Sequence, residues 1–515
     1  MAQATTSYDE MLYEGRSYAK SHPDRLATVA ALHGMTPQPI TACRVLELGC
    51  GDGTNLIPIA YRLRDSQFLG IDLSGVTIEM GLAAVRELCL SNIQLRHADL
   101  LEIEPELGRF DYIIAHGLYS WVPPQVREKI LSIFAACLAP MGVGYLSYNC
   151  HPAGHLRGVT RDIMLYHTRG ISDPAVRIEQ SRSIIRFLHQ AVGVKDVYGA
   201  VLWNQANEIE RMDNGLLFHD DLSPWSTPFL VSAVVEDAAR HGLQYLADAL
   251  VPPAGLAKMS EPVDNLLRSV DDAVTREQYS DFITGRSFRQ TLFCRAGIAI
   301  QREIEPRNLR TFHFAAAAEP AADKGIDPAS NTVEEFKLGG RTVALNHPLS
   351  KAALLHLANM APQPIPFDAL IEGALARLGR DGEGLESGIA DHIEALEAVL
   401  LQLYGGGALE LSLYPPPLAT RAGERPEASP IARRQARQGG LVTNLLHKSL
   451  VIEDETTREF LTLLDGTRSI DDIADALNAF RRRRPDGEEA ASSEVTREAV
   501  EDHLAFAAKL GLLLA

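Results

Sequence analysis

The chain has 515 residues, of which 46% are hydrophobic, so two to four domains with packed cores are expected. Its formal net charge of −18 disfavours a sequence-independent grip on nucleic-acid phosphates, and we expect no nucleic-acid partner. The chain has no bilayer-length apolar run, and its opening Met-Ala-Gln-Ala-Thr-Thr-Ser carries no secretion signal, so we expect a cytoplasmic protein without membrane insertion.

Residues 1–40 precede the first predicted strand. They contain a helix that begins near Pro23 and can end at Gly34. One interpretation is a cover helix packed on a sheet. In the other, tyrosines of this segment, Tyr18 among them, line one wall of a cofactor or acceptor pocket, because an aromatic face is favourable beside a cation.

The stretch from Arg44 to Asn55 predicts a strand, a tight turn and the start of a helix, which is the first crossover of a parallel sheet. Its alternating glycines permit backbone angles that a Cβ would forbid and leave room for a ligand against bare backbone. A nicotinamide or flavin site would place a glycine at Thr54. The pattern Glu-x-Gly-x-Gly-x-Gly instead resembles motif I of the class I methyltransferases, which bind S-adenosylmethionine (SAM). The cofactor-binding residues expected in this stretch are Glu47, Gly49, Cys50, Gly51, Gly53 and Asn55.

Two further strands end in acids that suit the same cofactor. Asp72 lies about twenty residues beyond the glycine turn, where a carboxylate can accept hydrogen bonds from both ribose hydroxyls. Leu73 and Ser74 follow it and are expected at the same site. After the third strand, the Asp99 carboxylate could accept from the adenine amino group, and the backbone of Leu100 could meet the adenine ring.

A fourth strand leads into the loop from His116 to Pro123, and a fifth ends in Tyr148 and Asn149. Ligands bind at the carboxyl ends of strands in doubly wound sheets, so this loop is expected to face the reaction. His116 is either a structural histidine or a site residue. A metal site is not expected, because no ligand cluster surrounds it and the six cysteines include no Cys-x-x-Cys pair.

The catalytic core is predicted to span residues 41–305, with two more strands near residues 243–246 and 289–295, the last one antiparallel. Residues 152–225 do not continue the sheet. They contain an amphipathic helix through Ile178 and Val192 and read as a helical insertion that forms a lid or a dimer contact.

The remaining chain is predicted to hold two small winged-helix-like α+β domains, at residues 330–420 and 435–515, after an Ala- and Pro-rich linker at 306–330. Further linkers are expected at 415–440 and 481–493. The last helix carries Glu498, Glu501 and Asp502, a poor surface for DNA phosphates, so these domains are interpreted as protein-contact modules.

Several motifs together make the chain similar to the rickettsial-type protein lysine methyltransferases, class I enzymes with a methyltransferase regulatory domain. The motifs are the Tyr-rich segment with Ser21-His22-Pro23, Leu46-Glu47-Leu48-Gly49-Cys50-Gly51, the loop His116 to Pro123, Ser147-Tyr148-Asn149, His219-Asp220-Asp221-Leu222 and Phe288 to Cys294. The resemblance implies a Rossmann-like seven-stranded sheet, SAM as methyl donor with S-adenosylhomocysteine as product, and a homodimer. It also implies lysines of outer-membrane proteins as methyl acceptors.

On this interpretation the enzyme aligns an acceptor amine with the methyl group of SAM and favours its neutral form by burial. Tyr119, Trp121 and Tyr148 are assigned to the acceptor channel, with Tyr148 orienting the amine by a hydrogen bond. His116 could contact the methionine part of SAM or relay a proton. Two alternatives stay open: a methyltransferase for small molecules or peptide natural products, and a SAM-binding regulatory protein with little turnover.

Overall fold

The computed structural model describes residues 7–104, 107–250, 261–321, 325–379, 388–483 and 494–515. The chain forms two compact units. The first comprises Met1–Gly15 and Val29–Arg302, and the second comprises Arg16–Thr28 and Glu303–Ala515. Residues 16–28, which were expected in the N-terminal cover segment, therefore group with the second unit. Within the described ranges, no helix has both the length and the apolar character needed to cross a membrane.

A seven-stranded sheet forms the centre of the first unit, in the order β3-β2-β1-β4-β5-β7-β6. Its strands are β1 (Arg44–Leu48), β2 (Gln67–Asp72), β3 (Ile93–His97), β4 (Phe110–Ala115), β5 (Leu138–Asn149), β6 (Leu243–Asp248) and β7 (Phe288–Arg295). Strands β1 to β5 pair in parallel, whereas β7 is antiparallel to both β5 and β6. This confirms the predicted class I sheet with its antiparallel seventh strand. The strand order reverses between β1 and β4, which is where open parallel sheets bind ligands.

Twelve α-helices in the described part of the chain precede or interleave with these strands. They are α1 (Ser7–Glu10), α2 (Pro23–Leu32), α3 (Leu56–Arg62), α4 (Gly75–Glu87), α5 (Pro124–Cys137), α6 (Ala153–His167), α7 (Pro174–Val192), α8 (Val197–Arg211), α9 (Asn214–Leu216), α10 (Val231–Arg240), α11 (Glu261–Arg268) and α12 (Ala273–Thr284).

Side chains of each strand alternate between the two faces of the sheet, and this alternation decides which residues can reach the site. One face, here called the α5 face, carries Leu46, Ile113 and Leu146 in a core with Phe134 of α5. A Cβ on Gly144 would lie 2.6 Å from Phe134, so only glycine fits there. The α5 face is thus a closed apolar layer.

The other face of the sheet, here called the Glu47 face, carries the polar residues of the central strands. Glu47 is paired with Ile114 in the register of β1 and β4, and Ile114 with Tyr145 in the register of β4 and β5. These three residues therefore share one level of one face, and for Glu47 and Ile114 this level is one residue before the carboxyl end of the strand. Ser147 follows Tyr145 on the same face by the two-residue period.

The insertion at residues 152–225 contains α6 to α9, and its helices share a small core of their own. In α7, Ile178 and Ile185 are buried against Met164 of α6 and Ile209 of α8. The expectation that this apolar stripe needs a partner surface is therefore wrong for these two residues, because the insertion covers them itself.

Beyond Arg302, the described residues of the second unit form short strands and seven α-helices. These are β8 (His313–Ala315), β9 (Ala318–Pro320), β10 (Glu334–Leu338), β11 (Arg341–Leu345), α13 (Pro348–Met360), β12 (Ile365–Pro366), α14 (Phe367–Leu378), α15 (Ile389–Gly405), β13 (Glu410–Ser412), α16 (Pro430–Gln438), β14 (Leu441–Thr443), β15 (Ser449–Val451), α17 (Glu455–Leu463), α18 (Ile470–Arg482) and α19 (Arg497–Lys509).

Two of the predicted linkers are structured. β8 pairs with β12 and β13, and β9 pairs with β10, so residues 306–330 contribute strands rather than a free connection. Residues 415–440 include α16. The loop predicted at 481–493 lies mostly outside the described residues. Composition misled the prediction because pairing with distant strands, not local propensity, decides these segments.

At the end of the chain, α17, α18 and α19 with the β14–β15 hairpin form the predicted C-terminal winged helix. Phe460, Ile473, Val500 and Leu504 lie in its core. The segment with α13, α14 and α15 also combines three helices with short strands. Its assignment as a second winged helix stays a prediction.

Candidate active site

The turn after β1 has the backbone that its glycines were expected to supply. Gly49, Gly51 and Gly53 have φ angles of +73°, +55° and +75°, in the region that side chains with a Cβ rarely adopt. A Cβ built on Gly51 would meet nothing within 4 Å, so open space lies beside the bare backbone. Cys50 is buried, and a Cβ on Gly70 of β2 would lie 2.8 Å from its Sγ. Cys50 therefore packs the turn onto the sheet.

Glu47 is the buried acid at the base of this turn. Its Oε1 accepts a hydrogen bond of 2.7 Å from Nδ2 of Asn55, whereas its Oε2 is buried without a hydrogen-bond partner among the described residues. Burial raises the pKa of the Glu47 carboxyl from 4.5 to about 8, against the opposing effect of the Asn55 hydrogen bond. A buried polar atom without a partner is costly, and in a functional site it commonly marks the place of a ligand group.

Asp72 ends β2 directly beside the glycine turn. Its Oδ2 accepts from the backbone N–H of Gly51 at 2.8 Å, and its Oδ1 accepts from that of Ser74 at 2.8 Å. Burial raises the Asp72 pKa, while these hydrogen bonds act to lower it. Ser74 caps α4 through Thr77, whereas the side chain of Leu73 is exposed. The two carboxylate oxygens retain lone pairs for further donors.

Asp99 follows β3 and caps the short 3-10 turn Leu100–Glu102, where its Oδ1 accepts from the backbone of Leu101 at 2.9 Å. It is half-buried, and Leu100 is buried. Both residues follow the carboxyl end of β3, on the same side of the sheet as Asp72 at the carboxyl end of β2, because β2 and β3 are parallel neighbours. Their contact with an adenine ring stays a prediction.

His116 follows β4 and faces Tyr145. Its Nδ1 lies 2.8 Å from the Tyr145 hydroxyl, and the two rings stack with their centroids 5.8 Å apart. The ring of Phe288, at the start of β7, meets His116 edge-on at 5.9 Å. Burial lowers the His116 pKa from 6.5 to about 3, so the ring is neutral at physiological pH. The backbone N–H of Gly117 donates to Ser147 Oγ at 2.8 Å and fixes the chain beyond His116.

Tyr148 lies on the α5 face, one residue out of phase with Ser147. It has no exposed surface, and its hydroxyl is 2.9 Å from Thr291 Oγ1 inside the core. Tyr119 is buried beside it, with its ring 6.2 Å from that of Tyr148. The expectation that Tyr148 orients an acceptor amine is therefore wrong for this structure, because strand alternation directs its hydroxyl away from the Glu47 face. Trp121 is also buried, at the end of the loop.

Tyr18 belongs to the second unit, and its place at the cofactor stays a prediction. A neighbouring stretch of the first unit, Asp9–Gly15, instead contacts the cofactor turns. Asp9 Oδ1 accepts from Ser74 Oγ at 2.7 Å, and a Cβ on Gly15 would lie 2.5 Å from Asp52 Oδ1. Farther along, His219 Nε2 lies 2.6 Å from the Met11 carbonyl. We call Asp9–Gly15 the strap.

Sequence reasoning missed two parts of this site, Tyr145 and Phe288, and anticipated the strap only as part of residues 1–40, whose tyrosines were one candidate for a pocket wall. Tyr145 and Phe288 are aromatic residues within predicted strands, where a core role is the ordinary expectation. Counting in steps of two from a fixed register with Glu47 would have singled out Tyr145 over Tyr148. The strap includes Tyr13 of the Tyr-rich segment, but its contact with the glycine turn has no local sequence signal.

The arrangement fits SAM. The partnerless Glu47 oxygen suits the ammonium of the methionine part, the open backbone beside Gly51 suits close approach of a ligand, and the Asp72 carboxylate suits ribose hydroxyls. Among the described residues, no group of three or more His, Cys, Asp or Glu side chains could hold a metal ion. The fold, together with the cofactor-binding groups of Glu47, the glycine turn and Asp72, defines a class I SAM-dependent methyltransferase.

Comparisons with known proteins agree with this assignment. Residues 45–142 match the family described as "Methyltransferase domain", residues 213–295 match "Predicted methyltransferase regulatory domain", and residues 424–508 match "PKMT, C-terminal winged helix domain". The chain is 34% identical over 377 residues to the uncharacterized protein RP789 of Rickettsia prowazekii (strain Madrid E), which covers 72% of this chain and 68% of that protein. It is 30% identical over 241 residues to the uncharacterized protein RP028 of the same organism, covering 47% of this chain and 96% of that protein.

Solved structures extend the match to nearly the whole chain. PKMT2 from Rickettsia typhi is 27% identical and superposes with a TM-score of 0.86, covering 98% of this chain and 100% of that one. The structure of PKMT2 in complex with AdoHcy superposes with a TM-score of 0.87. The chain belongs to the rickettsial-type PKMT family of class I methyltransferases, and SAM is its methyl donor.

Proposed function

We propose that this enzyme transfers methyl groups from SAM to lysine side chains of a protein substrate, such as an outer-membrane protein. The observation that carries the proposal is the likeness to PKMT2 over both units, including the PKMT-type winged helix. A small-molecule acceptor would leave the larger part of the second unit, Glu303–Ala515, without an evident function.

In this proposal Glu47, the glycine turn and Asp72 hold the cofactor, and the strap covers it. When bound, SAM supplies a methyl group already activated by its sulfonium, so the protein's task is alignment of acceptor and donor. An acceptor lysine must be neutral, and burial beside apolar and aromatic groups lowers the pKa of an amine.

We place the acceptor beside His116 and Phe288, whose rings meet at the carboxyl edge of β4 and β5. Phe288 is half-buried. This assignment replaces Tyr148 and leaves Tyr119 and Trp121 as the buried support of the loop that follows His116. Tyr119 packs on Phe229 at 5.2 Å, which suits a supporting role.

The second unit is proposed to hold the protein substrate so that successive lysines reach the site, since a second contact raises the local concentration of acceptor. A cytoplasmic homodimer is proposed with it, on the family resemblance. Light scattering across a range of protein concentrations measures the oligomeric state, and a constant monomer mass would contradict the dimer.

The acceptor is tested with purified enzyme, methyl-labelled SAM and fractionated cell extract, with an Asp72→Ala variant as the matched control for cofactor-dependent labelling. Label on protein, located on lysines by peptide mass spectrometry, is the expected result. Label confined to small solutes, or to residues other than lysine, would overturn the proposal.

A further inference from the structure

The pairing of Tyr145 with His116 follows from the register of the sheet. Ile114 and Tyr145 are opposite each other across β4 and β5, and His116 lies two residues beyond Ile114 on the same face. Tyr145 is fully buried, and its hydroxyl lies 2.8 Å from Nδ1 of the histidine. The contact therefore selects between the two neutral forms of the imidazole.

Each neutral form would give His116 a different task. If the tyrosine hydroxyl donates to Nδ1, the ring hydrogen sits on Nε2 and His116 can only donate towards the site. If Nδ1 carries the hydrogen, Nε2 carries a lone pair and is the atom that could accept a proton from the acceptor amine. A phenol hydroxyl is a good donor and imidazole nitrogen a good acceptor, which favours the first form. The low pKa of His116 points the same way, since so weak a base is ill suited to take a proton.

We propose that Tyr145 is a positioning residue that holds His116 with its hydrogen on Nε2, so that His116 donates a hydrogen bond to the carboxylate of the cofactor's methionine part. His116 then takes no part in removing the acceptor's proton. The methionine part is a zwitterion, and the proposal assigns one residue to each of its charges, Glu47 to the ammonium and His116 to the carboxylate. It rests on the proposed function, in which His116 lies beside the acceptor, and adds a contact from His116 to the cofactor.

The loop beyond His116 supports this task. Gly117 has a φ of +62°, and a Cβ built on it would meet nothing within 4 Å, so the turn itself and not crowding requires glycine. Its N–H is held by Ser147 Oγ. Tyr145 and Ser147, two neighbouring residues of one face of β5, thus fix both the ring and the backbone of the His116 segment.

The first test is the histidine tautomer of the full-length enzyme, read from ring ¹⁵N chemical shifts with and without AdoHcy, with the His116→Ala variant identifying the signal. A neutral ring with hydrogen on Nε2 is expected in both states, and hydrogen on Nδ1 would overturn the proposal. In Tyr145→Phe the hydroxyl is lost and the tautomer preference should shift towards a mixture. Tyr112→Phe is the matched control, because it removes a hydroxyl from another fully buried tyrosine of the sheet and should leave the His116 signal unchanged.

The second test is AdoHcy affinity by calorimetry, which is independent of the acceptor's identity. His116→Gln places an amide N–H near the position of Nε2, whereas His116→Asn mimics Nδ1 only. We expect Tyr145→Phe to weaken AdoHcy binding by about 3- to 10-fold, the loss of roughly one hydrogen bond, and His116→Gln to bind more tightly than His116→Asn. Equal affinities of the two His116 variants, or an unchanged affinity of Tyr145→Phe, would contradict the positioning role. Failure of the lysine assay with these binding results intact would count against the proposed acceptor alone.

Discussion

Asn55 donates its side-chain amide to Oε1 of Glu47 at 2.7 Å, and the other oxygen of the same carboxyl, Oε2, is buried without a partner in the described structure. Half of this carboxyl is therefore satisfied by the protein and half is available to a ligand. Because burial raises the Glu47 pKa to about 8, the free enzyme keeps this group largely protonated at neutral pH. An approaching ammonium favours the ionised form and lowers the pKa.

Binding of AdoHcy at pH 7 should consequently release about one proton, since the cofactor's ammonium ionises Glu47. Calorimetry in buffers of different ionisation enthalpy measures this release directly. Glu47→Gln should bind more weakly and release none. If Glu47→Gln released as many protons as the parent enzyme, the proton would come from another group. Asp72 is the first candidate, because its pKa is also raised.

The same shift has a consequence for stability without ligand. The folded pKa of Glu47 lies above its unfolded value of 4.5, so the folded state binds the extra proton between about pH 4.5 and 8. Its contribution to stability is present below that window and is lost as the pH rises through it. The apparent melting temperature of the ligand-free enzyme should therefore fall from pH 5 to pH 8.5, and the fall should be smaller in Glu47→Gln.

Asp72→Ala should weaken AdoHcy binding by about 2–4 kcal/mol, because it removes two charge-assisted acceptors from the ribose and frees the N–H groups of Gly51 and Ser74. Asp111→Ala is the matched control. Asp111 also accepts from a backbone N–H, that of Arg44 at 2.8 Å. It lies near the amino end of β4, however, whereas the cofactor residues lie at the carboxyl ends of the strands. Unchanged affinity in Asp72→Ala, measured by calorimetry, would reject the ribose assignment.

The Tyr148→Phe variant distinguishes the role of Tyr148 from that of Tyr145, the other tyrosine of β5 discussed above. The variant loses a hydroxyl that pairs with Thr291 inside the core, so the free energy of unfolding should fall by about 1 kcal/mol. Methylation rate and AdoHcy affinity should stay unchanged. A folded Tyr148→Phe enzyme that lost most of its rate would restore Tyr148 as a site residue and refute its placement in the core.

The parts of the site that sequence alone could predict are those whose chemistry is local. The sequence pattern identifies Gly49, Gly51 and Gly53 because their backbone angles disfavour other residues. Glu47 and Asp72 are found from their spacing along the sequence relative to these glycines. Tyr145 and Tyr148 differ only in which face of β5 they occupy, and a one-residue error in register exchanges the faces. Local patterns could not supply that register, because pairing of β5 with β4 and β7 sets it.

Dependence on distant pairing also explains why the grouping of residues 16–28 with the second unit was not predicted. Nothing in residues 16–28 signals that they group with residues beyond 302, because their partners are more than 350 positions away. Asp24, for example, accepts from the backbone N–H of Tyr414 at 2.7 Å across a separation of 390 residues. Winged-helix and sheet assignments depend on periodicity within short segments and were accordingly easier.

Gly15→Ala should disturb the strap. A Cβ at this position would lie 2.5 Å from Asp52 Oδ1 and 2.8 Å from Thr54 Oγ1, so either the strap or these two side chains of the glycine turn must shift. We expect weaker AdoHcy binding and faster proteolytic cleavage near the strap. Gly158→Ala is the matched control, because a Cβ there meets nothing within 4 Å and binding should be unaffected. Equal behaviour of the two variants would remove the strap from the cofactor site.

The last prediction concerns the second unit as the holder of protein substrate. All predicted cofactor residues except Tyr18 lie in the first unit, so a chain ending at Arg302 retains them. In this shortened chain, however, residues 16–28 lose the residues beyond 302 with which they form hydrogen bonds. Ser17 Oγ lies 2.8 Å from Thr443 Oγ1, and Asp24 accepts from Ser412 Oγ at 2.6 Å and from the backbone of Tyr414. We therefore expect the shortened chain to melt at a lower temperature than the full chain, and a raw loss of activity would be uninformative.

A ratio of rates avoids that difficulty. The rate on a protein substrate divided by the rate on a short lysine peptide does not depend on the fraction of enzyme that is folded. If the second unit supplies a docking contact, the ratio should fall by about tenfold or more in the chain ending at Arg302, because effective concentration is lost only for the large substrate. Full-length Asp24→Ala serves as the control for loss of stability and should keep the ratio of the parent enzyme. An equal ratio in the shortened and full chains would reject docking by the second unit and shift substrate choice to the helical insertion at residues 152–225.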